Sequence, residues 1–314
     1  MLKNKIIGVG MAMFCIMMNA KAEVLVILPE SGPMARAGLS IKQGFVGAYQ
    51  TAKKPYELKF VNSDEQNIQA LLNTHLTENT QLVVGPLSRV ALEAIIQMDF
   101  KIPVLALNHI EQQNPMVVQF SLAKQQDAQA ILHSMQQDQV RFLSIVHQTG
   151  REQEHQLFLN ALLQQSGFMH ENLEIIPSEL KPQQGLLLLG DAAWLQSQMN
   201  LPKQRVYTVS NAIALPIPIA QGVQFCDVPA LYSQTWPEIQ HEIRQAKTEV
   251  AFQRLIAFGG DAWQISSYLL ENPQVQKNNA LQFKGRTGQV HLQAHKIQRT
   301  PACYQQNHQL EQKR

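Results

Sequence analysis

Apolar and polar positions fall into blocks with two different periods. The apolar run over residues 24–28 stops at Pro29, a loop with Gly32 and Pro33 follows, and from near Ile41 the residues Ile41, Phe45, Ala48 and Ala52 recur at helical spacing. YELKFV (56–61) then alternates as a strand does, Ser63 or Asp64 stands ready to cap a helix bearing Ile68, Leu71, Leu72 and Leu76, and QLVVG (81–85) reads as a buried strand. Ser88 opens a third helix with Leu92, Ile95 and Ile96, before the strand IPVLAL (102–107).

The same rhythm resumes after Ser121. Helical spacing of Ile131, Leu132 and Met135 precedes FLSIV, spacing of Phe158, Ala161 and Leu162 precedes LEII (173–176), and LLLL (186–189) and VYTV (206–209) follow. GVQFCD (222–227) reads as a strand returning from one lobe to the other, residues 250–271 as a long helix, and ALQFKGRTGQVHL (280–292) as strand, turn, strand. Two runs of alternating strand and helix predict an α/β protein of two Rossmann-like lobes, each with a parallel sheet covered by helices. The expected division is 23–119 with 231–280 as the first lobe, 120–230 with 281–303 as the second, and 304–314 as a frayed polar tail.

The first 22 residues have a separate logic. Lys3 and Lys5 precede an apolar stretch over 6–18, and Ala20-Lys21-Ala22 supplies the small residues of a cleavage site, the pattern of a secretory signal with Glu23 as the first mature residue. Cys15 follows Ala12-Met13-Phe14, whose bulk suits a lipoprotein signal peptidase badly, so a lipid-free periplasmic protein is expected. No later stretch approaches the ~20 apolar residues that span a bilayer. Losing Lys3, Lys5 and Lys21 leaves 23 basic against 24 acidic side chains, and no basic stripe that would bind nucleic acid.

In an open parallel sheet, ligands bind where loops leave the carboxyl ends of strands. Ser31-Gly32-Pro33 after the first strand and Gly85-Pro86-Leu87-Ser88 after the third are such loops, and each offers backbone donors and a hydroxyl to a small polar or anionic ligand. The same residues also make tight turns and helix caps. Both loops leave one edge of one sheet, so Ser31 and Ser88 are expected close together at the mouth between the lobes.

The order LPESGPMARAGLSIKQGF, VVGPLSRVALEAI and IPVLALN, ending at Asn108, resembles the first lobe of type I periplasmic binding proteins, the leucine/isoleucine/valine-binding group. VYTVS, GVQFCDVPALY, RLIAFGGDAWQISSYL and FKGRTGQVHL resemble, more narrowly, the carboxy-terminal domain of the penicillin-binding protein activators of the LpoA type. The resemblance implies two lobes joined by three crossovers around a cleft, and a non-catalytic activator whose partner is a class A penicillin-binding protein. Long members of that family carry an amino-terminal helical-repeat domain and a lipidated cysteine; here the binding-protein-like part follows the leader directly, and reach across the periplasm is expected to be lost.

The broader group implies a second reading, a solute receptor gripping an amino acid or small polar ligand between its lobes. Ser31 and Ser88 match its first-lobe positions, but VHQTGRE (146–152) lacks the acidic and tyrosine pattern of the second, and His147, Gln148 and Thr149 stand there instead. A closed or dry cleft favours the activator; complementary hydroxyls and charges from both lobes favour the receptor.

No nucleophile elbow, phosphate loop or dinucleotide fingerprint follows a mature strand, and no cofactor is implied. His291 and His295 have the spacing of a helical metal pair, yet lie in a strand pattern and lack the adjoining acid, so no metal site is assigned. Asp191 and Asp261 each follow a glycine and read as helix caps. Two cysteines remain after the leader, Cys226 and Cys303, and export to an oxidising compartment predicts a bond between them, with two buried thiols as the other arrangement.

Overall fold

The computed structural model describes residues 22–198, 200–214, 218–245, 249–273, 281–293, 295–307 and 309–313. The expected leader, with Cys15, lies outside the described residues. The first run comprises β1 (Glu23–Leu28), α1 (Ala35–Ala52), β2 (Glu57–Asn62), α2 (Ile68–His75), β3 (Thr80–Val84), α3 (Arg89–Ile96), β4 (Val104–Ala106) and β5 (Val117–Gln119). The second comprises α4 (Lys124–Gln137), β6 (Phe142–His147), α5 (Gln156–Ser166), β7 (Met169–Leu173), β8 (Gln184–Leu189), α6 (Ala192–Ser197), β9 (Val206–Thr208) and β10 (Val223–Asp227). Then come α7 (Pro237–Gln245), α8 (Val250–Glu271), β11 (Gln282–Lys284), β12 (Gln289–Gln293), β13 (Lys296–Thr300), β14 (Ala302–Gln306) and β15 (Leu310–Gln312).

The strands form two sheets, ordered β11-β12-β13-β5-β4-β3-β1-β2 and β15-β14-β10-β9-β8-β6-β7. The central strands of both are parallel, and their apolar runs are buried, as in Leu186–Leu189 of β8. The chain passes from the first sheet to the second between β5 and α4, returns between β10 and α7, and crosses again at Pro301 between β13 and β14. These are the three expected crossovers.

Several boundaries differ from the sequence reading. α1 starts at Ala35 because its first turn faces solvent and leaves no apolar trace; Arg36 and Leu39 are exposed. Asn67, rather than Ser63 or Asp64, caps α2, accepting from the Ala70 N–H at 3.0 Å. β7 begins four residues before LEII, since an exposed edge strand shows little apolar pattern. GVQFCD stays in the second sheet as β10, and the crossing follows Asp227.

The expected assignment of residues 281–303 to the second lobe is corrected. β11, β12 and β13 extend the first sheet, where Lys296 of β13 pairs with Gln119 of β5, and only β14 onward joins the second. A hairpin's alternation shows that it has a buried face, not which sheet that face joins. The expected polar tail is likewise not frayed over its described residues, 304–307 and 309–313: β14 pairs with β10, β15 pairs with β14, and Lys313 Nζ donates to both Asp138 carboxylate oxygens at 3.0 Å. Tyr207 and Gln224 donate to the same carboxylate, so polar residues that looked solvent-bound close a part-buried network.

Helices α1 and α8 are the main pair covering one face of the first sheet. A Cβ on Gly44 would run into the Ile256 carbonyl, and one on Gly259 into the Ile41 carbonyl, so these glycines let the two backbones touch. Trp263 of α8 is buried and stands edge-on to Phe45 and Tyr49 of α1, with ring centroids 5.4 and 4.9 Å apart. Burying each such aromatic side chain contributes about 1.5–3 kcal/mol.

Asp261 sits in the middle of α8 and is no cap, a second correction. Its fully buried carboxylate accepts from the Arg286 and Thr287 N–H groups at 2.8 Å and from the Thr287 hydroxyl at 2.6 Å. The FGGD and GRTG motifs are therefore two halves of one clamp holding the β11–β12 turn against α8. Gly285 is required there because a Cβ would press on the Asp261 carboxylate.

Candidate functional site

The two first-lobe loops leave adjacent strands, β1 and β3, at the same sheet edge. Ser31 is exposed and bound within its own lobe, where its hydroxyl accepts from Asn62 Nδ2 at 3.1 Å and faces Asp64 Oδ2 at 3.5 Å. Asn62 Oδ1 also accepts from the Glu30 N–H at 2.9 Å, tying the loop to the end of β2. Gly32, in the left-handed region at φ 65°, lies over the Asp64 carboxylate, and Pro33 is exposed.

In the other loop Gly85 has φ 105° and passes against the Ile27 carbonyl, Pro86 is buried, and Ser88 caps α3 by accepting from the Ala91 N–H at 3.4 Å. Asn108, at the end of β4, donates to the Leu87 carbonyl at 2.8 Å and braces that loop. Among the described residues no hydrogen bond joins the Ser31 loop to the Ser88 loop.

Across the cleft the loop after β6 is also self-paired. Gln148 accepts from the Asp191 N–H at 2.8 Å, Asp191 caps α6 through the Trp194 N–H at 2.8 Å, and Arg151 bridges to Asp191 at 3.2 Å and to Glu154 at 3.0 Å. Thr149 is exposed on the turn. His147 Nδ1 and His155 Nε2 are buried without a partner, and desolvation lowers the pKa of both rings, so they stay neutral at pH 7. The cavity beside His155 measures about 10 Å³, room for a single water. His291 lies in β12 and His295 in the turn after it, so the pair is not on a helix.

The hinge holds a further set of buried charges. The Asp227 carboxylate, at the end of β10, accepts from Arg254 Nε and Nη2 of α8 at 2.8 and 2.7 Å, from the Tyr232 hydroxyl at 2.7 Å and from the Val228 N–H at 2.7 Å. Arg254 Nη2 also donates to the Ser210 carbonyl at 2.7 Å. Burial by itself lowers the pKa of Arg254, and the Asp227 charge more than offsets this. A second pair, Arg299 of β13 with Asp127 of α4, also joins the lobes, and Arg299 further donates to the Thr287 carbonyl at 3.2 Å. Cys226 and Cys303 are disulfide-bonded, directly opposite each other in the β10–β14 ladder, with Cα atoms 3.9 Å apart, closer than the ~4.4 Å lower bound expected of a bridge.

With this geometry in view, the family described as LppC putative lipoprotein matches residues 11–152 and 195–308. The chain belongs to that family. The penicillin-binding protein activator LpoA of Serratia proteamaculans (strain 568) is 23% identical to the LppC chain over 332 residues, covering 86% of this chain and 49% of that protein. The structure of Haemophilus influenzae LpoA superposes with a TM-score of 0.74 at 20% identity, covering 93% of the LppC chain and 58% of LpoA. The LpoA (YraM) C-domain from H. influenzae, described as a regulator of PBP1A, gives 0.71 at 21% identity, covering 93% and 100%. A putative branched-chain amino acid ABC transporter protein from Chromobacterium violaceum ATCC 12472 gives 0.72 at 24% identity, covering 90% and 99%. These structures establish the type I binding-protein fold, and the LppC chain spans about half the length of its curated relative.

The two serine loops are evident in the sequence, and the hinge ion pairs are not. Their one legible trace was charge inside apolar stretches: Arg254 in an otherwise buried helix face, and Asp227 closing the strand VQFCD. An isolated charge in such a place requires a partner, though its sequence position does not say which.

Proposed function

We propose that the chain is an exported, non-catalytic regulator of peptidoglycan synthesis that acts by contact on a class A penicillin-binding protein. The observation that carries this reading is the hinge. Arg254–Asp227, which is buried, and Arg299–Asp127, which is part-buried, pair charges from different lobes, while Ser31, Ser88, Asn108, Gln148 and Asp191 bond within their own lobes. A receptor that closes on solute needs lobes that swing and cleft groups free to receive a ligand. Fastened lobes with self-satisfied loops fit a body recognised from outside. Family membership supports the same assignment, as does the activator name of the Serratia relative.

Among the described residues no helix is long and apolar enough to cross a membrane, and the family's description as lipoproteins supports a place in the cell envelope. That description differs from a lipid-free start at Glu23. Amino-terminal sequencing of envelope-derived protein separates the two, Glu23 supporting cleavage after Ala22 and a diacylglyceryl Cys15 overturning it.

The receptor reading draws support from His147 Nδ1 at the end of β6 and His155 Nε2 in the turn leading into α5, buried with no hydrogen-bond partner among the described residues. Thermal shift with amino acids and small peptides tests it. A solute at 100 times its dissociation constant stabilises a receptor by about 2.7 kcal/mol. We expect no shift, and expect Ser31→Ala/Ser88→Ala to leave action on the synthase intact. A solute that stabilises the native protein but not the double variant would establish the receptor instead.

A further inference from the structure

We infer that the Cys226–Cys303 disulfide is a covalent clasp on the hinge, open to thiol attack at Cys303, whose reduction frees motion between the lobes while both stay folded. The bridge lies where two of the three crossovers leave the second lobe. Cys226 pairs with Cys303 across the antiparallel ladder, and the next pair, Asp227 with Ala302, is the last before both strands depart for the first lobe. Asp227 then turns into the connection toward α7, while Ala302 is joined through Pro301 to Thr300 of β13. The two connections are thus bonded into one unit at their common root. The remaining fasteners, Arg254–Asp227 and Arg299–Asp127, are not covalent and flank the same root.

The two cysteine residues differ in exposure. Cys226 is 4% exposed and packs in the core of the second lobe. Cys303 is half-buried and, with Thr300, Pro301 and Ala302, lines an open groove of about 720 Å³ between α4 and the hinge strands. A thiolate of a dithiol reductant entering the groove bonds to Cys303 Sγ as the Sγ–Sγ bond breaks, and Cys226 leaves as a thiolate that takes up a proton. The reductant's second thiol, losing its proton, then attacks the mixed disulfide and releases Cys303 as the other thiol. The reductant ends as a disulfide, and two electrons pass to the protein. The second lobe keeps its apolar core around Leu186–Leu189, Tyr207 and Phe225, in which Cys226 is one buried side chain among many.

Hydrogen exchange on the full chain tests this, comparing the oxidised protein, the protein held in dithiothreitol, and a Cys226→Ala/Cys303→Ala variant. Exchange over residues 224–236 and 300–306 is expected to speed up by about tenfold or more in both thiol-free and reduced forms, with β1, β3, β6 and β8 unchanged. A monothiol reagent is expected to form its mixed disulfide on Cys303. Unchanged exchange at the hinge would show that the bridge constrains nothing, and loss of protection across a whole lobe would make it a staple of the fold; either overturns the inference, as does a mixed disulfide on Cys226.

Discussion

Replacing Arg254 by methionine probes the hinge most sharply, because the side chain keeps an unbranched apolar stem and loses its charged guanidinium. Asp227 would be left 1% exposed at its side chain with only the Tyr232 hydroxyl and the Val228 N–H as donors, and the Ser210 carbonyl would lose its Arg254 contact. Removing one member of a buried pair costs about 3–5 kcal/mol, since the remaining charge is uncompensated. Urea unfolding followed by tryptophan fluorescence and by circular dichroism gives the midpoint shift, and multiplied by the slope this gives the loss. Asp227→Leu with Arg254→Met completes a double-mutant cycle in which we expect about 2 kcal/mol or more of coupling. A cost below about 1 kcal/mol for Arg254→Met, or two costs that simply add, would refute the claim that this pair fastens the lobes.

Two further outcomes follow from the packing and the carboxyl-terminal network. Gly259→Ala must push α8 off the Ile41 carbonyl and is expected to destabilise by about 1–3 kcal/mol in the same unfolding assay, whereas Gly47→Ala, with open space at its Cβ, is expected to be neutral or better. Burial pushes the Asp138 carboxyl up, and donation from Tyr207, Gln224 and Lys313 outweighs it, leaving the group below the ordinary carboxylate range. Its stabilisation is therefore complete above the unfolded value of about 3.9 and is lost as pH falls through the lower folded value. Lys313→Met is expected to cost about 1–2 kcal/mol at pH 7, allowing for partial exposure, with the difference shrinking below about pH 4 in unfolding measured from pH 7 to 3.

The strand and helix alternation was legible because buried strands such as β8 and amphipathic helices such as α3 carry their period in their own residues. Ser88 as a cap and Cys226 with Cys303 as a bridge were legible for the same local reasons, a hydroxyl before an apolar helix and two cysteines in an exported chain. Illegible were choices decided by distant partners. Whether β11–β13 add to the first sheet or the second depends on the edge beside β5, and Lys313, just past β15, is held in place because Asp138 waits 175 residues away. Asp261 follows a glycine, as many caps do, and became a clamp because the GRTG turn is brought to it by the fold. The loops after β1, β3 and β6 showed the converse: their residue types suited a ligand grip, and only their contacts with Asn62, Asp64 and Asp191 reveal where those polar groups are used.

The central claim is that the chain works by touching a synthase. Adding purified protein spanning residues 23–314 to a purified class A penicillin-binding protein from the same cells and measuring the rate of peptidoglycan cross-linking tests it most directly. We expect the rate to rise and to saturate near one molecule per synthase, with no turnover when the chain is assayed alone. An unchanged rate across that titration, in a preparation whose melting temperature is raised by an amino acid or small peptide, would contradict the account.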